Sequence, residues 1–294
     1  MAKAPKLSGN FKSFVDASKK PTRVLGALER HALSIPDDVR SHTVLHPSDM
    51  VSADWCYRAS YFHLLGEKPV KKEASFKLRS VFLQGHAIHE KYQNWFRDMG
   101  VLYGKWYCDH CGWIDELTLS SELKHEKDCR GTYEYREVPI NYEPLRIGGK
   151  ADGWIVGLGE PLMLEVKYIG PGTFSWEDRS GYRELDYNFE KAWDALSSPF
   201  AKHVTQVQLY MKVAELISQY DGSYKNSPQE AVLIYENKSN QDVKEFVVRK
   251  SDFAIAHLLE AAKMIVDAVK VRTPPACNIS PNGCPRCKGY TDGN

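Results

Sequence analysis

Neither sign of charge prevails in this chain: 39 Lys and Arg stand against 38 Asp and Glu, a formal net charge of +1. That balance argues against a protein coated in basic charge, while leaving room for a local basic channel. No apolar run approaches the length of a membrane span, so neither a bilayer-crossing helix nor a membrane partner is expected. Internal repeats and low-complexity segments are missing too. No secretory leader is read, and the cysteines are spaced for metal rather than for disulfides, so a reducing cytoplasm is the expected compartment. What is there describes a soluble globular chain, with 43% hydrophobic and 26% charged residues. Its 294 residues can bury one sizeable core with insertions, or two small domains.

Polar chemistry concentrates between residues 145 and 169. Leu145-Arg-Ile-Gly-Gly-Lys-Ala-Asp152-Gly-Trp-Ile-Val is followed by Gly-Leu-Gly-Glu-Pro and then by Leu162-Met-Leu-Glu165-Val-Lys167-Tyr-Ile. Alternation on both arms around a Gly/Pro turn predicts a two-strand hairpin. Strand side chains switch faces at each step, so Glu165 and Lys167 share one, and folding the hairpin brings Asp152 beside them. Two carboxylates suit Mg²⁺ or Mn²⁺, and a lysine beside them suits positioning of water or neutralising charge in phosphodiester hydrolysis. An acid-x-Lys triplet alone says little, because Glu122-Leu-Lys124, Glu236-Asn-Lys238 and Asp242-Val-Lys244 share the pattern. Glu165 differs in following an apolar strand core with an aspartate on the preceding arm.

Two flanking helices add to the pattern. Val81 to Phe96 reads as amphipathic: Ile88, Tyr92, Trp95, Phe96 and Met99 follow helical spacing, leaving His86, His89 and Gln93 on another face. His89 there suits a neutral imidazole ligand. In Val204-Thr-Gln206-Val-Gln-Leu-Tyr210, the four-residue spacing puts Gln206 and Tyr210 on one helix face, where they can meet substrate phosphate or the lysine.

The order Gly85-x-x-x-His89, Gly149-x-x-Asp152, Glu165-x-Lys167, Gln206-x-x-x-Tyr210 resembles the RecB-like branch of the PD-(D/E)XK nucleases over roughly residues 50 to 290. The resemblance implies an α/β core, a mixed sheet flanked by helices, and a metal-dependent DNA exonuclease acting on single strands or ends in recombination, replication or repair. Asp152, Glu165, Lys167, Gln206 and Tyr210 would be its catalytic residues, and His89, Asp152, Glu165 and the Val166 carbonyl its Mg²⁺ or Mn²⁺ ligands. A structure-specific endonuclease on the same fold and a non-catalytic DNA-binding metal module remain open alternatives. So does a homo-oligomer or a recombination-protein partner.

Seven cysteines form two groups. Cys108, Cys111, His125 and Cys129 give C-x2-C-x13-H-x3-C, a spacing that predicts a tetrahedral zinc site. Cys56 lies far from Cys277, Cys284 and Cys287, an arrangement similar to the iron–sulfur exonucleases of the CRISPR-associated and phage-encoded type and to AddB-like nuclease domains. That similarity implies a [4Fe–4S] cluster tying the two ends of the core together, with a four-cysteine zinc site as the competitor and a host cytoplasm if the chain is phage-encoded. The C-x6-C-x2-C order departs from relatives that place the close pair first.

The expected organisation is an N-terminal extension over 1–45 and a nuclease domain over 46–294. Within that domain, 104–135 is a zinc-binding insertion and 272–294 carries the last cysteines. A helix capped by Ser48 should carry Cys56 and Tyr61, Gly170 to Trp176 should be an irregular loop, and Ala231–Tyr235 should pair with Val243–Val248. An amphipathic helix is expected from Asp252 to Val271.

Overall fold

A computed structural model of the chain describes residues 23–36, 41, 43–69, 74–124, 129–222, 224 and 227–291. Most of the expected N-terminal extension, and His125 of the expected zinc site, lie outside these residues. The chain divides into two compact units, Met1–Arg40 with Lys72–Leu83, and Ser41–Lys71 with Gln84–Asn294. The first holds α1 (Arg23–Ser34) and the start of α4 (Phe76–Asp98). In it the Arg79 guanidinium donates to the Ile35 carbonyl at 2.6 Å.

The second unit is built on a mixed sheet in the order β2-β1-β6-β7-β8-β9, flanked by helices. Its strands are β1 (Leu102–Cys108), β2 (Ile114–Leu119), β3 (Tyr133–Arg136), β6 (Gly153–Ile155), β7 (Leu162–Ile169), β8 (Glu230–Asn237) and β9 (Val243–Arg249). Among the strands just named, β7 and β8 are the pair that runs parallel, with Glu165 opposite Leu233 and Lys167 opposite Tyr235. Parallel neighbours need a long crossover. Here it consists of α5 (Pro171–Glu177), α6 (Arg179–Glu184), α7 (Phe189–Ala195) and α8 (Ala201–Asp221). The segment expected as an irregular loop after Gly170 is therefore helical. Pro171 takes the first helical turn, where its missing N–H costs nothing, and Thr173 Oγ1 accepts the Gly170 N–H at 3.2 Å.

Strand alternation separates two cores. Met163, Ala231, Leu233 and Tyr235 pack with α8 and with α9 (Ala256–Lys270), whereas Leu164, Val166, Val232 and Ile234 pack with Ile88 and Tyr92 of α4. The expected Asp252–Val271 helix opens as a 3-10 turn over Asp252–Ile255 and continues as α9.

The first arm of the expected hairpin is not one strand. It breaks at Asp152 into β5 (Ile147–Ala151), which pairs with β4 (Val138–Tyr142) in a separate two-stranded sheet, and β6, which pairs with β7. β3 and β6 lie in line along one edge of β1, with Lys105–Cys108 paired to β3 and Leu102–Tyr103 to β6. The β4–β5 hairpin thus leaves the main sheet between them. Its base pair is Val138 with Ala151, so Glu137 and Asp152 are the two residues at the point of departure.

Within residues 104–135, β1 alternates buried and half-buried residues as a core strand should, and β2 and β3 pair on it. The expected Ser48-capped helix is two helices. α2 (Pro47–Met50) is a single turn that starts after His46, and α3 (Tyr57–Leu64) is capped by Cys56, whose Sγ accepts the Ala59 N–H at 3.4 Å. Among the described residues no helix is long and apolar enough to cross a membrane.

Candidate active site

The last β6–β7 pair is Gly153 with Leu164, so beyond it β7 has lost its β6 neighbour. Asp152 fills that place: its Oδ2 accepts the Val166 N–H at 2.7 Å, a hydrogen bond the sheet would otherwise supply. Backbone donors inside a protein need such partners. Glu165 and Lys167 project together from β7, paired to each other, and Gln206 Nε2 of α8 donates to Glu165 Oε1 at 2.8 Å. From the opposite layer, His89 Nδ1 of α4 stands 3.2 Å from Asp152 Oδ1. Helices on both faces of the sheet therefore reach one point, because β6 stops there.

Asp152 is 6% exposed and Glu165 2%. Burial works against ionisation of Asp152, yet the charges of His89 and Lys167 and the Val166 N–H hold its carboxyl below the ordinary value. For Glu165 burial wins over Lys167 and pushes the carboxyl up to about 7. Burial opposes charge on His89 and Lys167 as well, but the facing carboxylates raise both. The two acids are thus driven apart by their surroundings, a feature characteristic of sites that do acid–base or metal chemistry.

The structure brings together His89, Asp152, Glu165, Lys167 and Gln206. Gln206 holds the glutamate rather than the lysine. Val166 contributes its N–H to Asp152. Tyr210, one turn beyond Gln206, is buried against the β4–β5 hairpin, where a Cβ on Gly149 would come within 3.1 Å of its Oη. The Gly149-x-x-Asp152 spacing therefore carries a packing contact at the glycine and a hydrogen-bonded carboxylate at the aspartate.

Four further residues at the site carry no motif. Glu137 is half-buried, and burial and then Asp152 raise its carboxyl. In sequence it is one more polar position in Tyr133-Glu-Tyr-Arg-Glu137-Val-Pro, and only the pairing of β4 with β5 would have placed it opposite Asp152. Tyr135 Oη donates to the Asp152 carbonyl at 3.0 Å, alongside Gln93 Nε2 at 2.9 Å. His203, one turn before Gln206, is buried with Nδ1 2.6 Å from Tyr235 Oη; burial, then Lys167, holds its pKa well below the ordinary value. Tyr235 Oη also accepts the Phe200 N–H at 3.1 Å.

Tyr135 lies over two glycines. An added Cβ would stand 2.5 Å from its ring at Gly104, and at Gly153 it would stand 2.8 Å from its Oη and 2.7 Å from Leu102 Cδ1. Gly153→Ala is expected to lower stability by about 1–3 kcal/mol in urea unfolding, because an overpacked core must shift. A variant as stable as the parent would show that Tyr135 is not held in place over Asp152.

The cysteines gather as two groups of free thiols. Sulfurs of Cys56, Cys277, Cys284 and Cys287 lie within 4.8 Å of one another, as do those of Cys108, Cys111 and Cys129. The sulfurs of Cys56 and Cys277, and those of Cys108 and Cys129, stand 3.7 Å apart, too long for a disulfide of about 2.05 Å. The N–H groups of Ser280 and Ile279 overcome burial and bring the Cys277 thiol down to about 6, while burial pushes Cys56 up.

No protein-family model and no curated protein matches the chain. Among solved structures, the crystal structure of SSO0001 aligns at 12% identity and a TM-score of 0.37, covering 86% of this chain and 88% of that one. The crystal structure of LHK-Exo in complex with dAMP aligns at 11% identity and a TM-score of 0.41, covering 79% and 90%. At such values the chemistry of the site rests on its own geometry.

Proposed function

We propose that this chain is a metal-dependent DNA exonuclease that hydrolyses phosphodiester bonds on single strands or DNA ends. The observation that carries this reading is the buried Asp152–Glu165–Lys167 group, with His89 on one side and Gln206 on the other. Its donor set is two carboxylates and an imidazole, with the Val166 carbonyl as a further oxygen, which fits Mg²⁺ or Mn²⁺. A divalent ion there supplies Lewis-acid polarisation of the phosphate and a more acidic water. The Lys167 ammonium, kept charged by Glu165, stands ready beside charge that develops at phosphorus. Gln206 keeps Glu165 aimed, and Gln93 and Tyr135 fix the backbone that carries Asp152. The motif order supports DNA as substrate and a role in recombination, replication or repair, in a phage or its host.

The assay is degradation of labelled single-stranded DNA with Mn²⁺, on linear and covalently closed circular substrates. Linear DNA should be degraded, circular DNA left intact, and chelation should stop the reaction. Cutting of the circle would replace the exonuclease with a structure-specific endonuclease. Binding without any metal-dependent cleavage would leave a DNA-binding module.

The cysteine groups support two further metal centres. Cys108, Cys111 and Cys129 fit zinc, with His125 as the expected fourth ligand: bonds of about 2.3 Å in a tetrahedron set sulfurs about 3.8 Å apart. Cys56, Cys277, Cys284 and Cys287 supply the four thiolates of a [4Fe–4S] cluster, the group implied by the motif resemblance. Their spacing as it stands suits a single tetrahedral ion, and a cluster that interposes four irons would spread them. Brown, iron-containing protein from anaerobic purification marks the cluster; colourless protein with a second zinc marks the single ion.

A further inference from the structure

The proposed metal ligands leave one acid unaccounted for. Glu137 sits where β3 ends and β4 begins, opposite Asp152 at the base of the β4–β5 hairpin. Donor atoms of His89, Glu137 and Asp152 all lie within 4.8 Å of one another. Glu137 makes no hydrogen bond or ion pair among the described residues, and its carboxyl is raised by burial and by Asp152, with Lys150, His89 and His86 offsetting this only in part. Two half-buried or buried carboxylates side by side are costly unless something positive lies between them. Glu165, by contrast, has both its cation, Lys167, and its amide donor, Gln206.

We propose that Glu137 is a protein ligand of the divalent ion, closing a His89–Glu137–Asp152 set. The inference rests on the nuclease reading for the identity of the site, and adds to it a residue that no motif marks. An ion about 2.1 Å from each donor sets them about 3 to 4 Å apart, within reach of small side-chain rotations from the observed spacing. The hinge between the two sheets then has a use. It brings one acid from each strand of the hairpin base to a single cation, which pins the hairpin to the main sheet.

The test is Mn²⁺ binding to the full chain, read from the loss of the free-ion signal in electron paramagnetic resonance. Glu137→Gln should weaken binding at least about tenfold, as should His89→Asn, while Glu134→Gln, an exposed acid on the neighbouring strand, should change nothing. The double variant Glu137→Gln/His89→Asn should weaken binding by less than the product of the single effects if both hold the same ion. Glu137→Asp, which keeps the charge but shortens the reach, should fall between parent and Glu137→Gln, and it serves in its place if Glu137→Gln does not fold. Binding by Glu137→Gln within threefold of the parent, with Asp152→Asn defective, overturns the Glu137 assignment and leaves the nuclease reading standing. Unchanged binding in Asp152→Asn and His89→Asn as well would overturn both.

Discussion

Lys167→Ala should reduce Mn²⁺-dependent cleavage of single-stranded DNA by about 10²- to 10³-fold, the scale seen when one preorganised group facing developing charge is removed. The effect has two sources. The first is loss of the ammonium itself, which Glu165 and Asp152 keep charged against the pull of burial. The second runs through Glu165, whose carboxyl already sits near 7 because burial outweighs Lys167. Without that cation it moves higher still, so at neutral pH more of it is protonated and unable to hold metal. A carboxyl with a raised pKa is functional above that pKa and lost as pH falls through it, so the acid limb of the variant's activity profile should move to higher pH. Lys167→Arg keeps a charge and should retain both the parent's acid limb and part of the rate. Degradation by Lys167→Ala at the parental rate would remove the catalytic assignment. An equal loss with no movement of the acid limb would confine Lys167 to the transition state.

The parts of this site that could be read in the sequence are those governed by short-range periodicity. Two residues apart on a strand means one face, which placed Glu165 with Lys167; four apart on a helix means one face, which placed Gln206 with Tyr210. The parts that could not be read depend on pairing between segments distant in sequence. The break at Asp152 arises because β5 prefers β4 and β6 prefers β7, and both halves alternate so regularly that they read as one strand. Glu137 is invisible for the same reason, since its meaning is conferred by a partner fifteen positions on, across the β4–β5 turn. The helices after Gly170 were hidden by glycine and proline, which mark both loops and helix starts. Cysteine spacing was enough to group the thiols, and pairing between strands is what puts Cys108 at the end of a core strand.

Cys284→Ser should lower Tm by on the order of 10 °C, because a four-thiolate centre would join chain segments 221 positions apart. Cross-linking a loop of that length removes about 5 kcal/mol of unfolded-chain entropy on the chain-entropy estimate, and one serine in place of a thiolate loses much of that link. What remains is a set of contacts made by the same two segments. Asn278 brackets Cys56, accepting the Tyr57 N–H at 2.9 Å and donating to the Trp55 carbonyl at 3.0 Å. Arg286 makes a bidentate pair with Asp54, both contacts at 2.8 Å, and Tyr290 stacks on Phe62 with centroids 5.7 Å apart. The Arg286–Asp54 pair is partly exposed and worth little alone. These contacts depend on the thiolates to bring the segments together, so hydrogen exchange should rise first in α3 and in α10 (Pro285–Thr291) and only later in the sheet. The clasp is built from residues 54–62 and 277–290, whereas Glu165 and Lys167 belong to β7, so Mn²⁺ affinity should change far less than stability. A Cys284→Ser protein with the parent's Tm and exchange pattern would show that the protein contacts alone close the clasp.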